Sequence, residues 1–559
     1  MTQTMIVLRL YNRPLFLISI FVVFNLFGVF QFCVSNFRGQ SASNDNVNAA
    51  VSFRSTREPL ALAPGDLPGY SGWARPFDTI AGLFDDHPTL LGSAHVGENV
   101  TVRTSCTLSR NSFNTTERSD SSCLHGGSLF YIRAYGRAVL PGLFIDYQNG
   151  TYDFIIFPLD DGLYTLEVVL AFSKSPPFDH FPLVDEHERP SYEGFLLPGF
   201  PLQIDVLPLP PWKQQLQHPV CSSEELLLKD TFESAIEEGR WVVTEKAVAM
   251  APVIVNNKST ETDNRVSLRG YQNGLNSLGI RMDYAPRSCS LLSEEQAVHS
   301  FAQCSTKAIF HIIFIGDSNI KMQVDTLTDF MNWYAKNLSH NPSVTRPQIK
   351  TTRLSMYGGL MKTLGSVEQG LNSILASDAK TSSNSDVHYF VLFNSGLHDI
   401  SQRCSHHGRT KKSDKHLSER PSCVEEYCTN LEKLIQLVLN FPARLRVFQT
   451  TTAGWPKFGN YGFAWPTKTT QRLPKDPTFV EYLNRVAWST VIAKDYGYHN
   501  RTISVMDAYW LTLARPDHRE VSKDQAIGKH LVHAGPEVLS VLVRKWIMLI
   551  VQDMCPENN

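Results

Sequence analysis

The sequence predicts an α/β chain in three parts: an N-terminal membrane anchor, a β-sandwich and a three-layer αβα domain. Three observations carry this expectation. A 21-residue run from Pro14 to Val34 has no formal charge, short alternating runs fill residues 91–215, and strands alternate with helices beyond residue 301. The 559 residues, 42% of them hydrophobic, are enough for two or three domains with their own cores. A formal net charge of -2 removes the electrostatic reason to expect nucleic acid as a partner.

The first element is the charge-free run, long enough to cross the hydrocarbon core as a helix. A cleaved signal peptide has a shorter apolar core and a small-residue cleavage site, whereas this run continues into Gln31, Phe32 and Cys33. Arg9 and Arg13 precede it and only Arg38 follows closely, which points the N-terminus toward the cytoplasm. Residues 1–38 are thus expected to be a cytoplasmic tail and signal anchor. The rest would be the lumenal part of a single-pass type II protein of the Golgi or another secretory-pathway membrane, with release as a secreted form the other outcome.

Cysteines and sequons fit that expectation. Ten cysteines are widely spaced and none forms the paired pattern of a structural zinc site. They read as disulfides, with Cys106–Cys123 and Cys404 with Cys423 or Cys428 as candidate local pairs. N-x-Ser/Thr sequons begin at Asn114, Asn149, Asn257, Asn337 and Asn500.

Residues 39–90, with scattered Gly and Pro and no sustained period, read as a stem. Residues 91–215 hold strand candidates such as FYIRAY, YDFIIF and GLYTLEVVLAF, each bounded by turn residues, so a β-sandwich is expected. In the last of these Tyr164, Leu166, Val168 and Leu170 form the apolar face. Residues 216–300 are expected to link this domain to the next.

In residues 301–559, KAIFHIIFIGDSN, DVHYFVLFNSG, ARLRVFQTT and RTISVMDAYW are strands interleaved with amphipathic helices. That grammar predicts a mostly parallel sheet covered on both faces, with its chemistry at the carboxyl ends of the strands. At Gly316-Asp317-Ser318-Asn319 an apolar strand meets the start of a helix. Either Asp317 or Ser318 caps that helix, or Ser318 is a nucleophile presented at the positive end of its dipole. A serine nucleophile needs a base, and His530 and His533 precede the proline-initiated last helix. Between Cys404 and Cys423, five basic residues outnumber two acidic ones, which reads as a solvated loop or an anion-attracting one. The adjacent His406 and His407 make a weak metal site, and no metal is expected.

Together, Ile315–Asn319 (IGDSN), Gly358 and Gly359, Asn394 in FNSGLHD and His533 in LVHAGP resemble the ordered blocks of the SGNH, or GDSL-like, hydrolase superfamily, and within it the PC-esterase branch of O-acetyltransferases. With the preceding Ig-like β-sandwich, the segment MDYAPRSC and the ending at Cys555, the chain over roughly 90–559 is similar to the neurexophilin and PC-esterase domain-containing family. The resemblance implies an SGNH-hydrolase-like catalytic domain. Ser318 would be the nucleophile and His533 the base. The amide of Ser318, an amide of Gly358 or Gly359 and the side chain of Asn394 would form the oxyanion hole. The chain departs from that pattern at His530, where an aspartate commonly precedes the histidine by three residues. Asp507, at the end of a strand, is the first candidate for the orienting carboxylate, with Asp517 and Asp524 behind it.

The implied activity is O-acetyl transfer to a glycan hydroxyl through a serine acyl-enzyme, with a glycan or glycoprotein acceptor, an acetyl donor as co-substrate and no permanently bound cofactor. A carbohydrate O-acetylesterase uses the same acyl-enzyme. A non-catalytic neurexophilin-like glycoprotein is the reading of a different kind.

Overall fold

The structure is a computed structural model that describes residues 84–106, 126–172, 195–209, 218–228, 231–246, 280–306, 308–338, 347–381, 386–402, 423–453, 477–495, 503–515 and 534–555. The first half is an antiparallel sheet built from β1 (Thr89–Leu91), β2 (Val100–Ser105), β3 (Leu129–Tyr135), β4 (Ala138–Asp146), β5 (Thr151–Ile156), β6 (Gly162–Phe172), β7 (Phe195–Leu196) and β8 (Leu202–Val206). After a short helix α1 (Ser223–Leu226), β9 (Gly239–Lys246) and β10 (Ile280–Pro286) complete it.

These strands form one curved ten-stranded half-barrel and not the two separate sheets of an Ig-like sandwich. The reason lies in β4. Its first part pairs with β3 (Tyr135 opposite Val139) and with β9 (Val139 opposite Trp241), and its second part pairs with β5 from Gly142 onward. The change of partner falls at Pro141-Gly142, where a Cβ on Gly142 would lie 2.3 Å from Ile132 Cγ2 and 2.9 Å from the Ile155 carbonyl. Glycine permits that close approach, as at other sheet bends.

On β6 the expected apolar face of Tyr164, Leu166, Val168 and Leu170 is fully buried. On the opposite face Leu163 is exposed but Thr165, Glu167 and Val169 are buried: Glu167 accepts from Arg133 at 2.9 Å, and neither side chain reaches solvent. This second burial comes from the αβα unit, because Tyr135, Val139, Trp241 and Val243 share a core with Ala508, Leu511 and Val541.

The second sheet is parallel: β11 (Ile309–Gly316), β12 (Ile349–Ser355), β13 (Val387–Phe393), β14 (Ala443–Gln449) and β15 (Ser504–Met506), in the order β12-β11-β13-β14-β15. Helices α2 (Glu294–Cys304), α3 (Ser318–Leu338) and, at the end of the chain, Pro536–Met554 pack on one face. Helices α4 (Leu360–Thr381), α6 (Cys423–Asn440) and α7 (Pro477–Asp495) cover the other, and the short α5 (Leu397–Gln402) and α8 (Tyr509–Leu513) follow β13 and β15. Pro536 begins the last helix, α9, where a missing N–H costs nothing.

Within residues 216–300, expected as a link, the described stretches 218–228, 231–246 and 280–300 form the seam between the two sheets. Trp241 Nε1 donates to the Leu511 carbonyl at 2.9 Å, and the Arg515 guanidinium lies 4.9 Å over the Trp241 ring. Trp510 Nε1 donates to the Phe232 carbonyl at 2.8 Å, and Leu228 N to the Val505 carbonyl at 2.7 Å. Cys221–Cys289 closes a disulfide within this seam, and Cys304–Cys555 ties the end of α2 to the end of α9.

The expected membrane anchor is corrected. No helix among the described residues is long and apolar enough to cross a membrane. The long helix α9 carries Glu537, Arg544, Lys545 and Asp553 and is a core helix. The run over 14–34 and most of the stem lie outside the described residues. The correction to the single N-terminal helix as a membrane partner, the type II topology and the secretory-membrane location is that no described helix spans a membrane, and none of these is carried further.

Candidate functional site

Ser318 stands at the carboxyl end of β11, the strand from which the chain moves to β12 on one side and later crosses to β13 on the other. That is the topological switch point, where an open parallel sheet leaves a crevice. Gly316 is required here for a packing reason: a Cβ would come 2.4 Å from Ile320 Cγ1. The capping question that the sequence leaves open is resolved by geometry. Buried Asp317 accepts the Asn319 amide on Oδ1 at 2.9 Å and the Lys321 amide on its carbonyl at 3.1 Å. Asp317 therefore caps α3, and Ser318 is the first helical residue, half-buried at the positive end of the helix dipole.

The two neighbouring strand ends are stitched to the same spot. Met356 N donates to the Gly316 carbonyl at 2.8 Å, and Asn394 N donates to the Ile315 carbonyl at 2.9 Å. Beyond Met356 the chain turns through Gly358 and Gly359 at φ 134° and 79°, a conformation that favours glycine, and enters α4. The structure thus brings Ser318, Gly358, Gly359 and Asn394 to one edge of the sheet.

The Asn394 side chain does not match the donor role that the resemblance implies. Its Nδ2 donates to the Gln449 carbonyl at 2.9 Å and to Thr451 Oγ1 at 3.0 Å, so both hydrogens are used. Thr451 Oγ1 in turn donates to the Ser395 carbonyl at 2.6 Å. Turning the amide over would set Oδ1 against the Gln449 carbonyl oxygen, so the orientation is determined by its surroundings. Among the described residues Asn394 Oδ1 is buried without a hydrogen-bond partner.

Asp507 does end β15, but β15 lies three strands from β11, about 14 Å across the sheet at ordinary strand spacing. Its Oδ1 accepts from Tyr509 N (3.0 Å), Trp510 N (3.2 Å) and Thr450 Oγ1 (3.2 Å), and its Oδ2 from Leu511 N (3.1 Å). The carboxyl is occupied by the first three amides of α8, from one residue before the N-cap position at Ala508. Burial pushes its pKa up, and the nearby buried Lys545 opposes that shift. His530, His533, Asp517 and Asp524, with Arg409, His406 and His407, lie outside the described residues.

A carboxyl that the sequence reading passed over sits at this edge. Asp399, in the first turn of α5, is buried, and its Oδ1 accepts the Leu360 amide at 2.8 Å. Burial pushes it up to about 7 against the pull of the Leu360 and Gly396 amides, and the Asp317 charge adds to the rise. In the sequence an acidic residue in a first helical turn reads as a simple cap, so nothing distinguished it. On the same side Tyr357 and Met361 are exposed, with the Arg353 guanidinium 5.4 Å from the Tyr357 ring.

Cys106 is disulfide-bonded and Cys123 lies outside the described residues, as does Cys404; Cys423 begins α6 and Cys428 is half-buried on it. Asn149, in the β4–β5 turn, and Asn337, on α3, are exposed, whereas Asn114, Asn257 and Asn500 lie outside the described residues. Asn99 begins a further Asn-x-Thr sequence and is exposed just before β2. Among the described residues no three His, Cys, Asp or Glu side chains converge as metal ligands.

No family model matches this chain, and no curated protein matches it. Among solved structures, the crystal structure of the Lin-41 filamin domain matches 22% of this chain and 91% of that domain, at 14% identity and a TM-score of 0.13. An overlap that loose carries no argument about fold or activity.

Proposed function

We propose that this protein is a serine-dependent O-acyltransferase that moves an acetyl group to a glycan hydroxyl, in keeping with the SGNH-like and PC-esterase-like motifs of its sequence. The observation that carries the proposal is Ser318 as the first residue of α3 at the switch point, with the capping task taken by Asp317. In this reading Ser318 Oγ attacks the acetyl carbonyl of the donor while His533 accepts its proton. The tetrahedral oxyanion is held by the backbone N–H groups of Ser318 and Gly358, the Gly359 amide being bonded to the Met356 carbonyl. Collapse breaks the bond to the donor's leaving group, which takes the proton from His533, and leaves acetyl-Ser318. A sugar hydroxyl then gives its proton to His533 and attacks the acyl carbon, and the proton returns to Ser318 as the sugar ester departs. Water as the attacking group gives acetate and an esterase.

The test is labelling with a serine-reactive fluorophosphonate and peptide mapping, followed by labelled acetyl donor with candidate glycans. Label at Ser318, transfer to glycan and loss of both in Ser318→Ala are expected; a chain that acetylates glycans equally well as Ser318→Ala sinks the reading. The non-catalytic glycoprotein reading is favoured by one observation, the commitment of Asn394 and Asp507 to structural bonds. An absence of label at Ser318, with ligand binding intact in Ser318→Ala, would favour it.

A further inference from the structure

The Gly358-Gly359 turn is held at four points, and one of them is a side chain from α5, the helix that follows β13. Met356 N anchors the start of the turn to the Gly316 carbonyl, next to Ser318. The Gly359 amide closes the turn on the Met356 carbonyl at 3.3 Å. The next amide, Leu360 N, donates to Asp399 Oδ1 at 2.8 Å. The carboxyl also fills the space beside Gly359, where a Cβ would lie 2.7 Å from Asp399 Oδ1. The Gly359 carbonyl is also engaged, accepting from Thr363 Oγ1 at 2.8 Å.

From this geometry we infer that Asp399 is a positioning residue, which holds the Gly358-Gly359 turn so that the Gly358 amide faces the acyl group on Ser318. The inference rests on the proposed acyl transfer for its catalytic consequence, though not for the bond itself. Asp399 would act through the turn and not on the substrate. A charged acceptor makes the stronger hydrogen bond to Leu360 N, roughly twice the strength of a neutral one.

The groups around Asp399 determine when it is charged. Asp317 comes from the end of β11, Tyr427 from α6 with its hydroxyl bonded to Ser395 Oγ at 2.9 Å, and His398 precedes Asp399 on α5. From α4 it meets the Leu360 amide. Burial in this company keeps the carboxyl protonated to near neutral pH, so the stronger bond forms as pH rises through about 7.

The experiment compares the full chain with Asp399→Asn and Asp399→Ala in two measurements. The first is the rate of Ser318 acylation between pH 5.5 and 8.5, chosen on the order of 1.5 units either side of the transition. Asp399→Ala is expected to acylate about a hundredfold more slowly at pH 8, in the range for a lost oxyanion donor, with acceptor KM changed less than about twofold. Asp399→Asn should lose the rise in rate through neutral pH. The second is amide hydrogen exchange over residues 356–362, which needs no activity. Asp399→Ala should lose protection there and keep it elsewhere in the sheet.

A folded Asp399→Ala chain with the wild-type acylation rate and pH profile overturns the catalytic part, and unchanged exchange at the turn overturns the positioning. If wild-type Ser318 takes no acyl group at all, acyl transfer fails, while exchange still decides whether Asp399 holds the turn.

Discussion

Asn394 donates both hydrogens of its side-chain amide across the sheet, to the Gln449 carbonyl and to Thr451 Oγ1 at 3.0 Å, and so ties the end of β13 to the end of β14. The residue that a sequence motif presents as an oxyanion donor is here a strand-end brace. Replacing it with Ala removes two buried bonds and leaves two acceptors unmatched. We expect a loss of about 1–3 kcal/mol of stability by urea denaturation. Fluorophosphonate labelling of Ser318 should fall only with the folded fraction; a hundredfold loss in fully folded protein would restore the donor role.

Asp507 is expected to behave as a cap. Asp507→Ala should cost about 0.5–2 kcal/mol, the range for losing an N-terminal capping side chain. The rate of Ser318 acylation should be unchanged in the folded protein. A loss of rate with no loss of stability would assign Asp507 to the catalytic machinery instead.

Asp399 has a sign that can be checked without any substrate. Its folded pKa is raised from an ordinary 3.8 to about 7, so between these values the folded chain binds more protons than the unfolded chain. Its contribution to stability is present below pH 4 and is lost as pH rises through 7. Urea midpoints should therefore show a larger fall from pH 5 to pH 7.5 for wild type than for Asp399→Asn.

Trp241 joins the half-barrel to the αβα unit through Leu511 and Arg515. Truncating this fully buried side chain, Trp241→Ala, should cost about 3–5 kcal/mol. Near-ultraviolet circular dichroism should show both halves unfolding in one transition in the wild type, and a split into two in the variant would show that the seam carries the coupling.

Ser318→Ala removes a half-buried hydroxyl that the helix does not need as its cap. Stability should stay within about 0.5 kcal/mol of wild type, while fluorophosphonate labelling disappears. A stability loss above about 1 kcal/mol would mean that the serine is structural.

Local order is what the sequence by itself determined. The apolar run of β11 and its turn at Gly316-Asp317-Ser318, and the two-residue period of β6, are set by neighbours along the chain, where backbone sterics and side-chain alternation act directly. Tertiary structure alone decided what depends on surfaces meeting. The change of partners within β4 needs the fit of Gly142 against Ile132, and the burial of Glu167 needs the αβα unit behind it. The described part of residues 216–300 became a seam because Trp241 and Phe232 found partners more than 250 residues away, at Leu511 and Trp510. The same holds for the polar groups of the site. A short motif names Asn394 and a strand end suggests Asp507, but hydrogen bonds to Thr451 and Leu511 decide what their atoms can still do. Asp399 acquires its raised pKa only from burial among groups that the fold brings together, and that desolvation has no trace in the order of the residues.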